Sequence, residues 1–391
     1  MPFITIPVQP KEYQFSFDDI LNGVKKSYFE GPEKRTGDTR TVYREITPQR
    51  LLDIYDFNLM LQDLKAYNLK YKHLIETEDK SKLYYSFKLP KRSGGFRPID
   101  APEDELMFAL RELKYLLETK LFASHHTCAF AYIKGRSTAN AVMRHKNNAS
   151  RWFLKLDFSN FFGSTTLDFV MRQLELMFPY NHLMLLDGGK DELRKAISLC
   201  FLRGGLPQGT PISPTITNLM MIPIDHHIAK EMREHTPHIV YTRYADDLHL
   251  SADISFKWTE VQEKIIEILK KYNAPFTIKK EKTHYGSSAG RNWILGVMLN
   301  KDNEITVGHV KKKYLKAALF SIYADYTNGK CWDAEDTQKL GGEISYYMMI
   351  EKDNIQKILD KFKIKYKRDV FDVIKDMLKR QVPAATKKGA A

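Results

Sequence analysis

Tyr241-Thr-Arg-Tyr-Ala-Asp-Asp-Leu-His-Leu250 is the stretch on which the reading of this chain turns. Two adjacent aspartates interrupt an alternating apolar run, with Ile239 and Tyr241 leading in and Leu248 and Leu250 leading out. Alternation on both sides predicts strand, tight turn, strand, with Asp246 and Asp247 at the turn. A turn that presents paired carboxylates suits Mg²⁺, a hard cation that takes oxygen ligands. On turn chemistry alone the pair also fits a solvated hairpin tip, because Asp is a common turn residue.

A second carboxylate lies upstream in a matching setting. Arg151-Trp-Phe-Leu-Lys-Leu-Asp157 is a strand-like run that ends in a carboxylate, and Phe158-Ser-Asn-Phe-Phe162-Gly then breaks into a new segment. One carboxylate at this strand end and a pair from the hairpin suit two metal ions roughly 3.5–4 Å apart, the arrangement that clamps attacking and leaving oxygens in phosphoryl transfer. Between the two lies Gly204-Gly-Leu-Pro-Gln-Gly-Thr-Pro-Ile-Ser-Pro214, followed by an apolar run predicted helical through about Ala229. Its glycines allow a close backbone approach to a ligand.

These pieces together resemble reverse transcriptases. Leu156-Asp157 with Phe161-Phe162, Leu206-Pro-Gln-Gly209 with Ser213-Pro214, and Tyr244-Ala-Asp-Asp247 are similar to the palm motifs of that family. Leu89-Pro-Lys-Arg-Ser-Gly-Gly-Phe-Arg97-Pro-Ile resembles the first fingers motif and Phe130-Ala-Tyr-Ile-Lys-Gly-Arg136-Ser the second. Lys280-Glu-Lys282-Thr283 resembles the motif after the palm hairpin, and Ile294-Leu-Gly296-Val the primer-grip hairpin. The likeness covers about residues 83–375 and is nearest to bacterial retron and group II intron-like enzymes, including the defence-associated ones.

The resemblance implies an α+β right-hand polymerase: fingers, palm with an antiparallel sheet, and helical thumb, with an N-terminal extension. On that plan residues 1–80 are a mostly helical extension, 81–150 fingers, 151–300 palm, 301–375 thumb and 376–391 a disordered basic tail. Asp157 and Asp246 would hold both metals, with Asp247 supporting and Phe158 in the metal set. The cofactor would be Mg²⁺ as two ions, with Mn²⁺ as a substitute. Lys282 would donate a proton to the pyrophosphate leaving group. Arg97 would grip the dNTP triphosphate with Lys91 assisting, because a guanidinium fork matches phosphate oxygens. Gln208 and Gly209 would line the nucleotide site. Phe162, five residues after Asp157, would exclude a sugar 2′-hydroxyl by bulk. Arg136, Tyr244, Lys311, Lys312 and Lys313 would contact nucleic acid.

The function expected is RNA-directed DNA synthesis by two metals on a structured noncoding RNA template, giving a DNA product in antiphage defence. A retron-type enzyme making RNA-linked single-stranded DNA is the alternative, as is template-independent synthesis. From another class, a catalytically idle RNA-binding protein stays open, although three carboxylates facing a polyanion serve a binder poorly. Two departures set the chain apart from retrons. Asn140-Ala-Val-Met-Arg-His145 is one residue longer than their Asn-Ala-x-x-His, and Ile294-Leu-Gly296 stands for their Val-Thr-Gly. Nothing after the thumb resembles a nuclease domain, which argues against retroviral and full mobile-intron proteins.

Composition agrees. With 391 residues, 43% of them hydrophobic, the chain can bury a substantial core. A net charge of +13 suits a polyanion. From residue 301 onward 19 Lys and Arg face 13 Asp and Glu, interleaved with Tyr314, Phe320, Tyr323, Tyr326, Tyr346, Tyr347 and Tyr366. Basic and stacking groups together suit nucleic acid, while a helical core with solvated lysines is the plainer reading. Cys128, Cys200 and Cys331 are widely spaced, so neither a zinc site nor a disulfide framework is expected, and a cytoplasmic location is. Met1-Pro-Phe-Ile-Thr-Ile-Pro lacks the marks of a signal peptide, and no run is long enough to span a membrane. His125-His126 and His226-His227 are not expected to bind metal, because adjacent side chains do not share a helix face. Helical periodicity is expected over 49–67, 104–121, 166–178 and 258–272. Oligomeric state is not legible in the sequence.

Overall fold

The computed structural model describes residues 3–8, 11–16, 26–35, 38–46, 56–90, 94–121, 123–288, 293–300 and 302–381. Two compact units account for the chain: one runs to Arg136 and resumes over Leu154–Tyr285, and the other comprises Ser137–Phe153 and the chain from Gly286 onward.

The first unit holds most of the residues expected to form fingers and palm. Asp104–Thr119 is a helix whose Leu106, Leu110, Leu113 and Leu117 are buried, as the leucine spacing requires. The helix Phe57–Lys70 packs beside it, with the Tyr67 hydroxyl donating to the Ala109 carbonyl at 3.0 Å. A two-stranded hairpin pairs Tyr84–Pro90 with Phe96–Pro102, in a register that sets Leu89 opposite Arg97. Helices cover Leu167–Glu175 and Trp258–Lys271, each within two or three residues of the periodicity. The apolar run after the Gly-Pro loop is broken in two, Ser213–Met220 and Ile222–Glu234. Pro223, without an N–H to donate, falls in the first turn of the second helix, where it is tolerated. The central sheet has the strand order His284–Ser287, Trp152–Asp157, Asp247–Ala252, Val240–Tyr244.

The second unit is built on helices His309–Thr327, Ala334–Ile350, Lys352–Tyr366 and Val370–Gln381. Leu315, Leu319, Ile322, Leu340, Ile344, Ile355, Val373 and Met377 form its core. A three-stranded sheet, Trp293–Ile294, Val297–Leu299 and Ile305–Thr306, joins Val142 and Phe153 in a smaller cluster through Val297 and Leu299. The helix Thr138–Asn147, expected in the fingers, therefore belongs to this unit.

Two expectations are corrected. The N-terminal extension is not mostly helical: Phe3–Val8 pairs with Lys11–Ser16, and Lys26–Arg35 with Asp38–Ile46, before the first helix at Phe57. The β-branched residues Ile4, Thr5, Ile6 and Val8 favour strand in short runs. Residues 376–381, assigned to a disordered tail, are the end of the last helix, held by buried Val370, Val373, Ile374 and Met377. Residues 382–391 lie outside the described residues.

Candidate active site

The hairpin that carries Asp246 and Asp247 forms in the register that the alternation demanded. Tyr244 faces Asp247 across a two-residue loop, Ala245-Asp246. Ala245 takes φ 57°, a left-handed conformation that a Cβ disfavours, so something must hold it there. Arg243 does. Its side chain is fully buried, and Nη1 donates to the Ala245 carbonyl at 3.2 Å. Nε and Nη2 grip both oxygens of the equally buried Asp225 at 2.7–3.0 Å. Nη2 also reaches Asn218 Oδ1 at 3.3 Å, and the Tyr241 hydroxyl donates to Asp225 at 2.8 Å. Burial opposes the guanidinium charge, but Asp225 overcomes it and holds the pKa above its ordinary value. None of this network was foreseen. The signal was an arginine two residues after Tyr241, on one face of a buried strand, and an aspartate inside Ile222-Pro-Ile-Asp225. A charge at such positions has to be paired.

Asp157 ends the neighbouring strand with 3% of its surface exposed. The Phe158 N–H donates to the Asp246 carbonyl at 3.0 Å, which ties the strand end to the hairpin loop. The segment after helix Trp258–Lys271 returns alongside: Ser159 N–H donates to the Thr277 carbonyl at 2.6 Å and Lys279 N–H to the Asp157 carbonyl at 2.8 Å. Three ammonium groups front the carboxylates. Lys282 Nζ hydrogen-bonds Asp157 Oδ2 at 2.7 Å, Lys279 Nζ stands 3.0 Å from Asp157 Oδ1, and Lys155 Nζ stands 2.8 Å from Asp247 Oδ1. Lys282 is held above its ordinary pKa chiefly by its bond to Asp157. Burial raises the Asp246 carboxyl, and the charges of Asp247 and Asp157 add to it, against a hydrogen bond from its own backbone N–H.

Among the described residues no three His, Cys, Asp or Glu side chains converge on one point. The aspartates still fit a hard divalent ion. Asp157 Oδ1 and Asp247 Oδ1 are buried oxygens that each face a lysine ammonium but receive no directed hydrogen bond, so they keep lone pairs to offer a hard divalent ion. Phe158 packs its ring between Phe161 and Phe276, at 5.5 and 4.7 Å, so only its backbone is left to serve an ion.

The Gly-Pro loop is shaped by its contacts with protein. The Asp100 N–H donates to the Gln208 carbonyl at 2.8 Å, and a Cβ on Gly209, at φ 124°, would lie 2.8 Å from the Asp100 carbonyl oxygen. A Cβ on Gly205 would lie 2.1 Å from the Gly163 carbonyl oxygen. The close approach inferred from the sequence is thus made to the fingers strand and to the Phe161–Ser164 turn. Gln208 remains exposed beside a cavity of about 200 Å³ lined by Asn160, Asp100, Arg203 and Pro207. Phe162 is half-buried, and its carbonyl accepts from the Leu206 N–H at 2.9 Å. Arg97 is exposed on the fingers hairpin. Tyr132, at φ 61°, lies within electrostatic reach of Asp246, Tyr244 and Arg97, which ties those sequence-distant residues together. Lys91 lies outside the described residues.

Three residues expected to contact nucleic acid have partners within the chain. Arg136 Nη1 clasps the carbonyls of His126, Thr127 and Ala129 at 2.5–3.3 Å. Lys311 Nζ donates to the Gly296 carbonyl, and Lys312 Nζ to Glu351 at 2.5 Å. Lys313 is exposed, and Tyr244 is half-buried.

The family model for reverse transcriptase (RNA-dependent DNA polymerase) matches residues 89–315, more than half of the chain. The chain belongs to that family, and with it goes the right-hand polymerase fold. It is similar to the retron Ec83 reverse transcriptase of Escherichia coli, 27% identical over 288 residues that cover 71% of this chain and 86% of that one. It is also similar to the retron Mx65 reverse transcriptase of Myxococcus xanthus, 27% identical over 288 residues, 70% of this chain and 63% of the other. It is thus a retron-like reverse transcriptase, an RNA-directed DNA polymerase. A telomerase of Candida tropicalis, solved with a TWJ fragment of telomeric RNA, aligns at 12% identity and TM-score 0.42 over 92% of this chain and 69% of that one. Among the described residues no helix is long and apolar enough to cross a membrane.

Proposed function

We propose that this protein copies a structured noncoding RNA into DNA using two Mg²⁺ ions, as part of an antiphage response. The observation that carries the chemistry is the junction of two strand ends, where Asp157 and Asp247 each keep a buried oxygen that meets an ammonium but no directed hydrogen bond, and where the Phe158 N–H ties the strand end to the Asp246 carbonyl. Asp157, Asp246 and Asp247 would hold the ions, with the Phe158 backbone beside them. Bound there, the ions would acidify the primer 3′-hydroxyl and neutralise the triphosphate. Arg97 grips phosphate oxygens with its exposed guanidinium. Gln208, fixed through its own carbonyl, presents its amide to the nucleotide. Phe162 bars the 2′-hydroxyl by bulk. Lys282, hydrogen-bonded to Asp157, carries the proton that the leaving pyrophosphate takes up.

The test is dNTP incorporation with Mg²⁺ on the RNA that co-purifies with the protein. Asp246→Asn should retain RNA and lose synthesis by about a hundredfold or more, as loss of a charge clamp on phosphoryl transfer does. Residual synthesis near wild type would refute the assignment. The retron-like relatives favour a second reading of the product, DNA joined covalently to its RNA. RNase treatment decides it, since a joined product shortens on a denaturing gel and a free one does not. Equal phage plating with wild-type and Asp246→Asn protein would refute the defence role.

A further inference from the structure

We propose that Lys155 and Lys279 are resident counter-cations of the aspartate cluster, which keep its carboxylates in place until a divalent ion displaces them. The inference rests on the metal-site reading above and adds two residues to it. Lys155 lies two positions before Asp157 in a strand where Phe153, Leu154, Leu156 and Asp157 are buried. Residues two apart in a strand share a face, so Lys155 and Asp157 project to the same side. Lys155 is half-buried there, and an anion beside it stabilises its charge: Asp247 Oδ1 lies at 2.8 Å. Lys279 meets Asp157 twice, through its backbone N–H at 2.8 Å and its ammonium at 3.0 Å.

The quality of these contacts separates them from the third lysine. Lys282 makes a directed hydrogen bond to Asp157 Oδ2. The oxygens faced by Lys155 and Lys279, Asp247 Oδ1 and Asp157 Oδ1, are close to an ammonium yet receive no aligned N–H. Such contacts neutralise charge with less directional bonding to break than the Lys282 hydrogen bond. Mg²⁺ carries twice the charge and approaches oxygen to about 2.0–2.1 Å, so it outcompetes an ammonium at 2.8–3.0 Å. Without either cation, the carboxylates of Asp157, Asp246 and Asp247 would repel one another at close range. The two lysines thus allow the site to fold before it is loaded, and their release sets how much metal is needed.

Thermal melting of the full chain tests this, in EDTA and across a Mg²⁺ or Mn²⁺ titration without nucleotide. Lys155→Met and Lys279→Met should melt below wild type in EDTA. Both should reach half of their metal-induced rise at about fivefold lower ion concentration, because an ion-pair contact worth about 1 kcal/mol no longer has to be displaced. Lys155→Arg, which keeps the charge, should restore both wild-type values. Should a Met variant be too unstable to melt cleanly, Mn²⁺ titration by electron paramagnetic resonance in the cold reads the same midpoint. Met variants with wild-type EDTA melting points and midpoints would overturn the inference alone. A wild-type protein that binds no Mn²⁺ by resonance and whose melting point does not rise with Mg²⁺ would overturn the metal-site reading and this inference with it.

Discussion

At the residue scale the site is a problem of crowded charge. Asp246 is pushed up first by burial and then by Asp247 and Asp157, so its folded pKa exceeds its unfolded one. The folded state therefore holds a proton that the unfolded state has already released. Stability falls as pH climbs from the ordinary carboxylate range to the raised value, and stays lower above it. Asp246→Asn removes that penalty. In EDTA near neutral pH it should melt roughly 2–4 °C above wild type, as about 1 kcal/mol would give, and the gain should fade below the carboxylate range. A pH series by calorimetry checks the sign. The three aspartates were legible because a carboxylate at the end of an apolar strand has few other uses. Lys155 and Lys279 were not, since a lysine reads as a solvated surface charge until the fold places it on an anion.

Arg243 was equally hidden, and its loss has a definite consequence. Arg243→Met would leave Asp225 buried without its counter-ion, keeping the Tyr241 hydroxyl as a donor, and would free the Ala245 carbonyl. Removing one partner of a buried ion pair costs about 3–5 kcal/mol. Chemical denaturation of the single variant should show that loss. Arg243→Met combined with Asp225→Leu should recover a large part of it, because the pair is then removed whole.

At the element scale the sequence was most legible where periodicity was undisturbed. The leucine stripe fixed Asp104–Thr119, and Thr166, which accepts from the Phe169 N–H at 3.2 Å, marks the start of Leu167–Glu175. Reading was poorer where a short segment mixes β-branched and charged residues, as before Phe57. It also failed where backbone meets backbone, because a glycine does not reveal what it approaches. Gly205 approaches Gly163, and the contact is unforgiving because the obstructing atom is a main-chain oxygen. Gly205→Ala should therefore destabilise by about 1–3 kcal/mol, as overpacking does. By shifting Gln208, three residues on, it should also raise the dNTP KM more than Gly204→Ala. Steady-state kinetics with a denaturation curve separates the two effects, and an unchanged KM would show that the loop absorbs the strain.

For the whole molecule, the net charge of +13 foretold a polyanion partner but not which lysines would meet it. The run Lys311-Lys312-Lys313 looks uniform in sequence and is not so in the fold. Lys312 is paired with Glu351, which also accepts from Thr306 Oγ1 at 2.7 Å and the Val307 N–H at 3.1 Å. Lys313 is exposed on the same helix as Tyr314 and Phe320, whose ring lies 5.2 Å beneath Lys365 Nζ. Phosphate contacts release counterions, so the salt dependence of RNA binding counts the lysines that reach phosphate. Lys313→Ala should lower the slope of log affinity against log salt by about one unit and weaken binding for every RNA alike. Lys312→Ala should leave that slope nearly unchanged and lower the melting temperature instead, because Glu351 loses its half-buried counter-ion. Fluorescence anisotropy at several salt concentrations, paired with melts of the same variants, measures both. Equal slope changes for the two lysines would mean that Lys312 leaves Glu351 for phosphate when RNA binds, and that this ion pair exists only in the unbound enzyme.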